Sequence, residues 1–274
     1  MRLGPLGSHI LRTLDRANRP VLNLRKDRAL LADLSNPQLH RALHWLETAG
    51  YLQAIERGKY LVLPRAGAGG AWQEHPLIIA DAIAPEPHYI SYWSALSYWN
   101  LTTQLPTTVY VVIASGRPRR VSFQQHHYRF VLRPAAYFYG FENVDVTSSN
   151  VMEISLAMAT PEKAILDSLD DENLAGGLPE IIEGVRRGLE AKRLTVGSLV
   201  DEAQRYPTSA VALRLGYLLQ RLGYAAETRP LQARRTRGRP ALLRPGAAVL
   251  KGAVDRDWNL VINASEELLE NDGP

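Results

Sequence analysis

Four carboxylates and a lysine lie close together in the stretch "KAILDSLDDEN". The acids are Asp167, Asp170, Asp171 and Glu172, and Lys163 precedes them. Carboxylate oxygens bind Mg²⁺, so this cluster could serve a metal-dependent nuclease, in which a lysine commonly joins the acids. The alternative, which we favour, is a solvated helix end, because Lys163 continues the helical pattern.

Other catalytic chemistry is poorly represented. His126 and His127 are neighbours on a predicted strand, so their side chains point to opposite faces and cannot bind one ion. The chain has no cysteine, which excludes disulfides and thiolate metal sites. It also has no P-loop, no Gly-rich phosphate loop and no Ser-His-Asp order. We therefore predict no catalytic residue, no metal and no cofactor.

The strongest chemical feature of the sequence is a cluster of arginines near its C-terminal end. "QARRTRGRPALLRPG", residues 232–246, contains five arginines and no acid. Its centre, "RGRP", is similar to an AT-hook, in which arginines flank a glycine and enter an A·T-rich minor groove. The alternative, which we favour, is a basic loop on a folded domain. Either form would add affinity for phosphates through Arg235, Arg237 and Arg239.

A second acid-free segment spans residues 87–141, which contain five arginines. Residues 1–65 carry 11 Lys/Arg against 5 Asp/Glu, whereas residues 142–227 are net acidic. Such segregation indicates a basic face for a polyanion and a separate acidic surface. Arg117, Arg119 and Arg120 are candidates for a secondary basic surface, although they could simply solvate one face of a sheet.

The N-terminal residues predict the elements that would present basic side chains to DNA. Helical spacing marks a first helix around Leu6–Leu14 and a second at Asp27–Leu34. A third helix begins with Asn36 as cap and Pro37 in its first turn, and ends before Gly50. "YLQAIERGKYLVLP" then predicts a β-hairpin that turns at Arg57-Gly58. Three helices followed by a basic hairpin is the order of a winged helix-turn-helix.

In that fold the third helix enters the major groove, so Arg41 has the chemistry to bind guanine O6 and N7, or else a phosphate. Trp45 could contact DNA but more commonly packs. The predicted DNA-binding residues are Arg25, Lys26, Arg28, Gln38, Arg41, His44, Trp45, Arg57 and Lys59. A small helical domain that contacts proteins is the alternative.

The fold class predicted for the whole chain is α+β. Residues 1–63 form the winged helix, 64–73 ("PRAGAGGAWQ") a linker and 74–274 a larger C-terminal α+β domain. In the latter, "HPLIIADAIA" and "SYWSALSYWNL" predict helices, the second with a core stripe of Tyr92, Leu96 and Trp99 rather than a base-stacking surface. "TTVYVVIA", "RVSFQQHHYRFVL", "VMEISLAMA" and "WNLVINA" predict strands.

The second half of the C-terminal domain is predicted to be helical. "TPEKAILDSL" predicts a helix capped by Thr160, and three further helices follow over 178–192, 196–205 and 208–222. No segment approaches the length of a membrane span, and no secretory signal is evident, so we expect a cytoplasmic protein without a membrane partner.

Several of these stretches together resemble the AbiEi-type antitoxins of type IV toxin–antitoxin systems. The matching residues are "LETAGYLQAIERGKYLVL", "YISYWSALSYWNLTTQLPTTVYVV", "ISLAMATPEKAILDSL" and "DRDWNLVIN". "ATPEKAILD" after a strand is the most distinctive of them. The resemblance covers nearly the whole chain.

This resemblance implies a phage-defence protein with two separable functions. Its winged helix would repress its own operon by binding inverted repeats in the promoter. Its C-terminal domain would neutralise a nucleotidyltransferase-like toxin, with which it need not form a stable complex. The alternatives are a winged-helix-targeted nuclease and an enzyme that modifies its toxin covalently, for which no kinase motif is present.

Overall fold

The chain has a mixed α+β fold. A computed structural model describes residues 3–64 and 72–270, which we treat as an N-terminal and a C-terminal unit. The predicted fold class is confirmed at this level. Of the predicted linker, residues 65–71 lie outside the described residues. None of the helices within the described ranges could cross a membrane.

The N-terminal unit packs helices against a small antiparallel sheet of order β1-β3-β2. Its elements, in chain order, are α1 (Pro5–Arg16), β1 (Val21–Asn23), a 3₁₀ turn (Arg28–Leu31), α2 (Asn36–Thr48), β2 (Leu52–Glu56) and β3 (Lys59–Val62). The predicted hairpin is confirmed, and Gly58 at its turn has φ of 75°. The helix predicted at Asp27–Leu34 is only the 3₁₀ turn, and strand β1 has no counterpart in the sequence prediction.

The C-terminal unit is built on a six-stranded mixed sheet of order β6-β7-β5-β4-β9-β8. Its strands are β4 (His88–Ile90), β5 (Thr108–Ile113), β6 (Arg119–Phe123), β7 (His126–Leu132), β8 (Phe141–Thr147) and β9 (Glu153–Ala159). The helices that precede or interrupt the sheet are α3 (Pro76–Ile83) and α4 (Tyr92–Tyr98). The single strand predicted for "RVSFQQHHYRFVL" is a hairpin, β6–β7, because Gln124 adopts a left-handed φ of 52°.

Helices dominate the rest of the chain, as the sequence predicts. They are α5 (Pro161–Asp170), α6 (Leu178–Glu190), α7 (Val196–Arg205), α8 (Ser209–Arg221), α9 (Arg229–Gln232) and α10 (Glu266–Glu270). A small sheet contains β10 (Ala241–Leu242), β11 (Ala253–Asp255) and β12 (Leu260–Ile262). Thr160 caps α5, since its Oγ1 accepts from the N–H of Lys163 at 3.3 Å. Trp258 of "DWNLVIN" is fully buried.

Each unit has a hydrophobic core, and the two cores meet at one face of the N-terminal sheet, β1-β3-β2. Helices α1 and α2 bury Ile10, Leu14, Leu43 and Leu46 within the N-terminal unit. Val21, Ile55 and Leu61 of the N-terminal sheet instead join the C-terminal core, which also contains Ile79 and Ile83 of α3. The N-terminal unit is therefore docked on α3 through apolar contacts. The predicted core stripe of α4 is confirmed for Tyr92 and Leu96, which are buried.

Candidate nucleic-acid interface and a buried lysine–aspartate cluster

Helix α2 presents the predicted reading face to solvent. Leu39, Ala42, Leu43 and Leu46 are buried, which turns Arg41, His44 and Thr48 outward. Arg41 makes one hydrogen bond, from its Nε to the carbonyl of Pro37 on its own helix at 3.3 Å. The two Nη atoms of Arg41 have no partner among the described residues, so its forked end is free to contact another molecule.

The start of α2 differs from the prediction by one residue. Ser35, not Asn36, is the N-cap. The N–H of Ser35 donates to Oε1 of Gln38 at 3.0 Å, so the Gln38 side chain belongs to a capping box. Gln38 remains exposed, but a DNA contact would compete with its role in the cap.

Trp45 lies at the edge of the N-terminal core rather than on the outward face of α2. Its ring stacks on Tyr51, with centroids 6.1 Å apart and planes inclined by 20°. A carbon of its indole would lie 3.5 Å from a Cβ added at Gly7 of α1. Trp45 therefore packs α1 and the hairpin onto α2, which was the commoner of its two predicted roles.

Three of the other predicted DNA contacts already have structural partners. Arg28 donates to the carbonyls of Leu31 and Leu34, at 2.5 and 2.8 Å, and so fastens the 3₁₀ turn to the start of α2. Lys26 and Lys59 turn toward the C-terminal unit, as described next. Only Arg25 and Arg57 remain exposed without an ion pair among the described residues.

The C-terminal end of α3 is the anchor for the N-terminal unit. The last carbonyls of a helix lack partners within the helix and carry its negative dipole end. The carbonyls of Asp81, Ala82 and Ile83 accept hydrogen bonds from three side chains of the N-terminal unit, at 2.5–3.1 Å. These donors are, respectively, Lys26, Asn23 and Lys59.

Glu56, at the end of β2, joins this anchor to the large sheet. Its Oε1 lies 2.5 Å from Lys59 Nζ and 2.8 Å from Arg119 Nη2. Arg119 also donates to the Ile83 carbonyl at 2.9 Å and lies over the Phe130 ring at 3.8 Å. Burial lowers the pKa of Lys59, although Glu56 opposes the shift. Lys59, predicted as a DNA contact of the wing, and Arg119, predicted as part of a secondary basic surface, are thus both held in this anchor.

His88 completes the anchor from β4. Its Nε2 lies 3.0 Å from Asp81 Oδ1, and its Nδ1 lies 3.1 Å from Glu86, which also binds Lys26 at 2.5 Å. Burial by itself would lower the pKa of His88, but the two carboxylates raise it above its ordinary value. The contact with His88, followed by that with Lys26, lowers the pKa of Glu86 to about 2. The sequence contained no signal for this arrangement.

Asp167 and Glu172 are buried and Asp170 and Asp171 are half-buried, so the predicted solvated helix end is wrong. Lys163 is 0% exposed and Asp167 is 1% exposed. They form an ion pair one turn apart on α5. Burial lowers the pKa of Lys163 against the attraction of Asp167. Four tyrosine rings surround Nζ with centroids at 5.1–5.8 Å, namely Tyr89, Tyr137, Tyr139 and Tyr206.

Hydroxyl groups satisfy the remaining lone pairs of Asp167. Ser91 donates to Oδ2 at 2.7 Å, Tyr206 donates to Oδ1 at 2.9 Å, and Tyr89 donates to Oδ2 at 3.2 Å. These donors come from the N-cap of α4, the α7–α8 connection and β4, so the cluster ties the sheet to the helices. A buried ion pair is tolerated when such additional hydrogen bonds complete it.

Two of the other acids, Asp170 and Glu172, are each paired with an arginine. Asp170 lies 3.1 Å from Arg133, and both oxygens of Glu172 lie 3.1 Å from Nε of Arg244. Within residues 3–64 and 72–270, no three His, Cys, Asp or Glu side chains are placed to share a metal ion. This arrangement suits a structural ion-pair network rather than the open carboxylate cluster that a nuclease requires.

The remaining basic candidates are on the surface. Arg117 and Arg120 are exposed at the start of β6. Arg235, Arg237 and Arg239 are exposed between α9 and β10, in a segment whose two ends are held by the folded unit. His126 and His127 lie on opposite faces of β7, as predicted, and His127 Nδ1 is 2.9 Å from Ser122 Oγ.

The fold has a counterpart among solved structures. The crystal structure of RV2827C protein from Mycobacterium tuberculosis is 15% identical in sequence, with a TM-score of 0.61. The superposition covers 98% of this chain and 95% of that chain. At this identity the likeness extends to the fold alone. No family model matches the sequence, and comparison with curated proteins gives no match.

Proposed function

We propose that this protein is a DNA-binding autorepressor and antitoxin of the AbiEi type. In this proposal the N-terminal unit is a winged helix-turn-helix that binds inverted repeats upstream of its own gene. The order helix, strand, 3₁₀ turn, helix and hairpin supports this assignment. The single observation that carries it is the outward face of α2, where Arg41 and His44 lack partners elsewhere in the described chain.

The antitoxin half of the proposal rests on the sequence resemblance. The C-terminal unit would neutralise a nucleotidyltransferase-like toxin in the cytoplasm, without catalysis of its own and without a necessary stable complex. The enclosed position of the Lys163–Asp167 pair disfavours the nuclease alternative, because neither side chain is accessible to a substrate. No contact among the described residues specifically favours an enzyme that modifies the toxin.

Binding to the upstream region of the gene tests the DNA-binding half. We expect Arg41→Gln to lower affinity for that region by about 1–3 kcal/mol if Arg41 binds a base. Arg12→Gln is the matched control, because Arg12 is also an exposed helical arginine whose Nε bonds to a carbonyl four residues earlier, at 3.2 Å. Equal affinity of the two variants for the upstream region, measured by fluorescence anisotropy, would refute the assignment.

Co-expression with the cognate toxin tests the antitoxin half with the full chain. Arg41→Gln should derepress a reporter fused to the promoter and still rescue growth, because the substitution leaves the C-terminal unit intact. Loss of rescue in this variant, at normal protein levels, would mean that repression and toxin neutralisation are not separable functions.

A further inference from the structure

We infer that the exposed face of the β6–β7 hairpin is a phosphate-binding surface that extends the DNA contacts onto the C-terminal unit. This inference rests on the DNA-binding function proposed above. We call this surface the edge patch. It consists of Arg117, Arg120, Ser122, His127 and Arg129. Its position is set by β6, which is the edge strand of the large sheet.

Two arginines face each other across the hairpin. Arg120 on β6 and Arg129 on β7 are direct partners in the antiparallel register. Side chains at such positions lie on the same face with Cβ atoms about 4.5–5.5 Å apart, and like charges there repel each other. Neither guanidinium forms an ion pair or hydrogen bond with the described residues. An anion placed between them would remove this repulsion.

The neighbouring side chains on this face suit a phosphate. Strand alternation puts Ser122 and His127, the next partners on this face, beside the arginine pair. Ser122 Oγ and His127 Nδ1 bond to each other at 2.9 Å, which leaves at least one donor of the pair, the hydroxyl or Nε2, for a phosphate oxygen. Arg117 is exposed just before β6, and no acid occurs anywhere in residues 87–141. The patch is therefore a run of donors whose three arginines form no ion pair with the described residues.

The anchor fastens β6, the strand that carries Arg120 of this patch, to the N-terminal hairpin. Arg119 is bound to Glu56, the residue that immediately precedes the exposed Arg57 at the hairpin turn. Arg120 follows Arg119 with Cα atoms about 3.8 Å apart and faces the other side of the strand. Because Lys59 is occupied by Glu56 and the Ile83 carbonyl, the hairpin offers only Arg57 as a free charge. The edge patch supplies further cations on β6 and β7 that form no ion pair with the described residues.

The number of phosphate contacts can be read from the salt dependence of binding. Each phosphate contact contributes about 0.9 to the slope of log K against log salt. The assay uses two duplexes from the upstream region, one trimmed to the inverted repeat and one extended on each side by about 10 bp, one helical turn. On the extended duplex, Arg120→Gln/Arg129→Gln should lower the slope by about 2. On the trimmed duplex the variant and the wild type should agree.

Two further variants exclude trivial explanations. Arg193→Gln/Lys251→Gln removes two exposed charges elsewhere on the C-terminal unit and should leave the slope unchanged. Arg120→Lys/Arg129→Lys keeps the charges and should retain the wild-type slope. The glutamine variant should unfold at a temperature no lower than the wild type, because it removes a repulsive pair. An unchanged slope on the extended duplex would overturn the inference and leave the patch to a protein or RNA partner.

A scrambled extended duplex separates this inference from the proposed function. Phosphate contacts carry no sequence information, so the difference in slope between the wild type and the glutamine variant should persist on scrambled DNA. Failure of the wild type to prefer the upstream sequence over the scrambled one would refute the proposed function. The difference in slope on the scrambled duplex would still decide whether the edge patch binds phosphates.

Discussion

Arg41 on α2 and Lys163 on α5 are both cations within a helical sequence pattern, but Arg41 is exposed and Lys163 is fully buried. Each lies in an amphipathic helix of ten or more residues and bonds to a group on its own helix, one turn away. Arg41 is exposed, whereas four tyrosine rings and the neighbouring helices enclose Lys163. The comparison shows that helical periodicity identifies which residues share a face but not what covers that face. A free cation suits recognition, and an enclosed one suits structure.

The largest expected effect is a loss of stability when the enclosed Lys163 is replaced. Lys163→Met would leave the carboxylate of Asp167 buried without its cation, which costs about 3–5 kcal/mol of unfolding free energy. Lys163→Met/Asp167→Asn removes both charges and should recover at least about 1 kcal/mol of that loss. Urea denaturation of the two variants measures the difference. If the double variant is as unstable as the single one, packing rather than charge holds this cluster together.

Substitution of Glu56 tests the ion-pair cluster that fastens the N-terminal unit to the C-terminal unit. Glu56→Gln weakens the hold on Lys59 and Arg119 together, so we expect a loss of about 1–3 kcal/mol. Amide exchange should also accelerate in β2, β3 and β6. Glu47→Gln on the exposed face of α2 is the control, because Glu47 makes no ion pair with the described residues. Equal stability of the two variants would show that the apolar contacts of Val21, Ile55 and Leu61 alone dock the N-terminal unit.

Arg25 and Arg28 repeat the comparison within three residues of each other. Arg28 donates to two carbonyls, so Arg28→Ala should lower stability by about 1–2 kcal/mol. Arg25→Ala should change stability by less than about 0.5 kcal/mol, because Arg25 is exposed and unpaired. It should instead lower the salt slope of DNA binding by about one unit. The opposite pattern in denaturation and binding assays would reverse the roles assigned to these residues.

The smallest effect is a pH dependence of the anchor at His88. Its pKa is raised by the carboxylates of Asp81 and Glu86, so the folded protein holds this proton more tightly than the unfolded chain. The resulting stabilisation is fully present below the unfolded pKa of about 6.5 and is lost as pH rises through the higher folded value. The difference in unfolding free energy between the wild type and His88→Gln should shrink accordingly. A constant difference across this window would mean that folding does not raise the pKa of His88.

Short-range features were predictable because their causes are local. The cap at Thr160, the hairpin turn at Gly58 and the helices after residue 160 depend on residues a few positions apart. The β6–β7 turn was missed because Gln124 adopts the left-handed conformation without the glycine or asparagine that usually marks such a turn. Strands β1 and β4 were missed because strands of three residues are stabilised mainly by partners that are distant in sequence. Strand β8 was missed because Glu142, Asn143 and Asp145 are of residue types that are depleted in strands.

The sequence by itself determined the α+β class, most helix positions, the outward face of α2 and the segregation of charge. The tertiary structure decided which charges remain free. It directs Lys26 and Lys59 to the carbonyls at the end of α3, and Arg119 to Glu56. It also buries Lys163 and Asp167 among hydroxyls and aromatic rings. The physical reason is that a charge needs a partner or water, and in a folded chain the partner is supplied by elements that are distant in sequence.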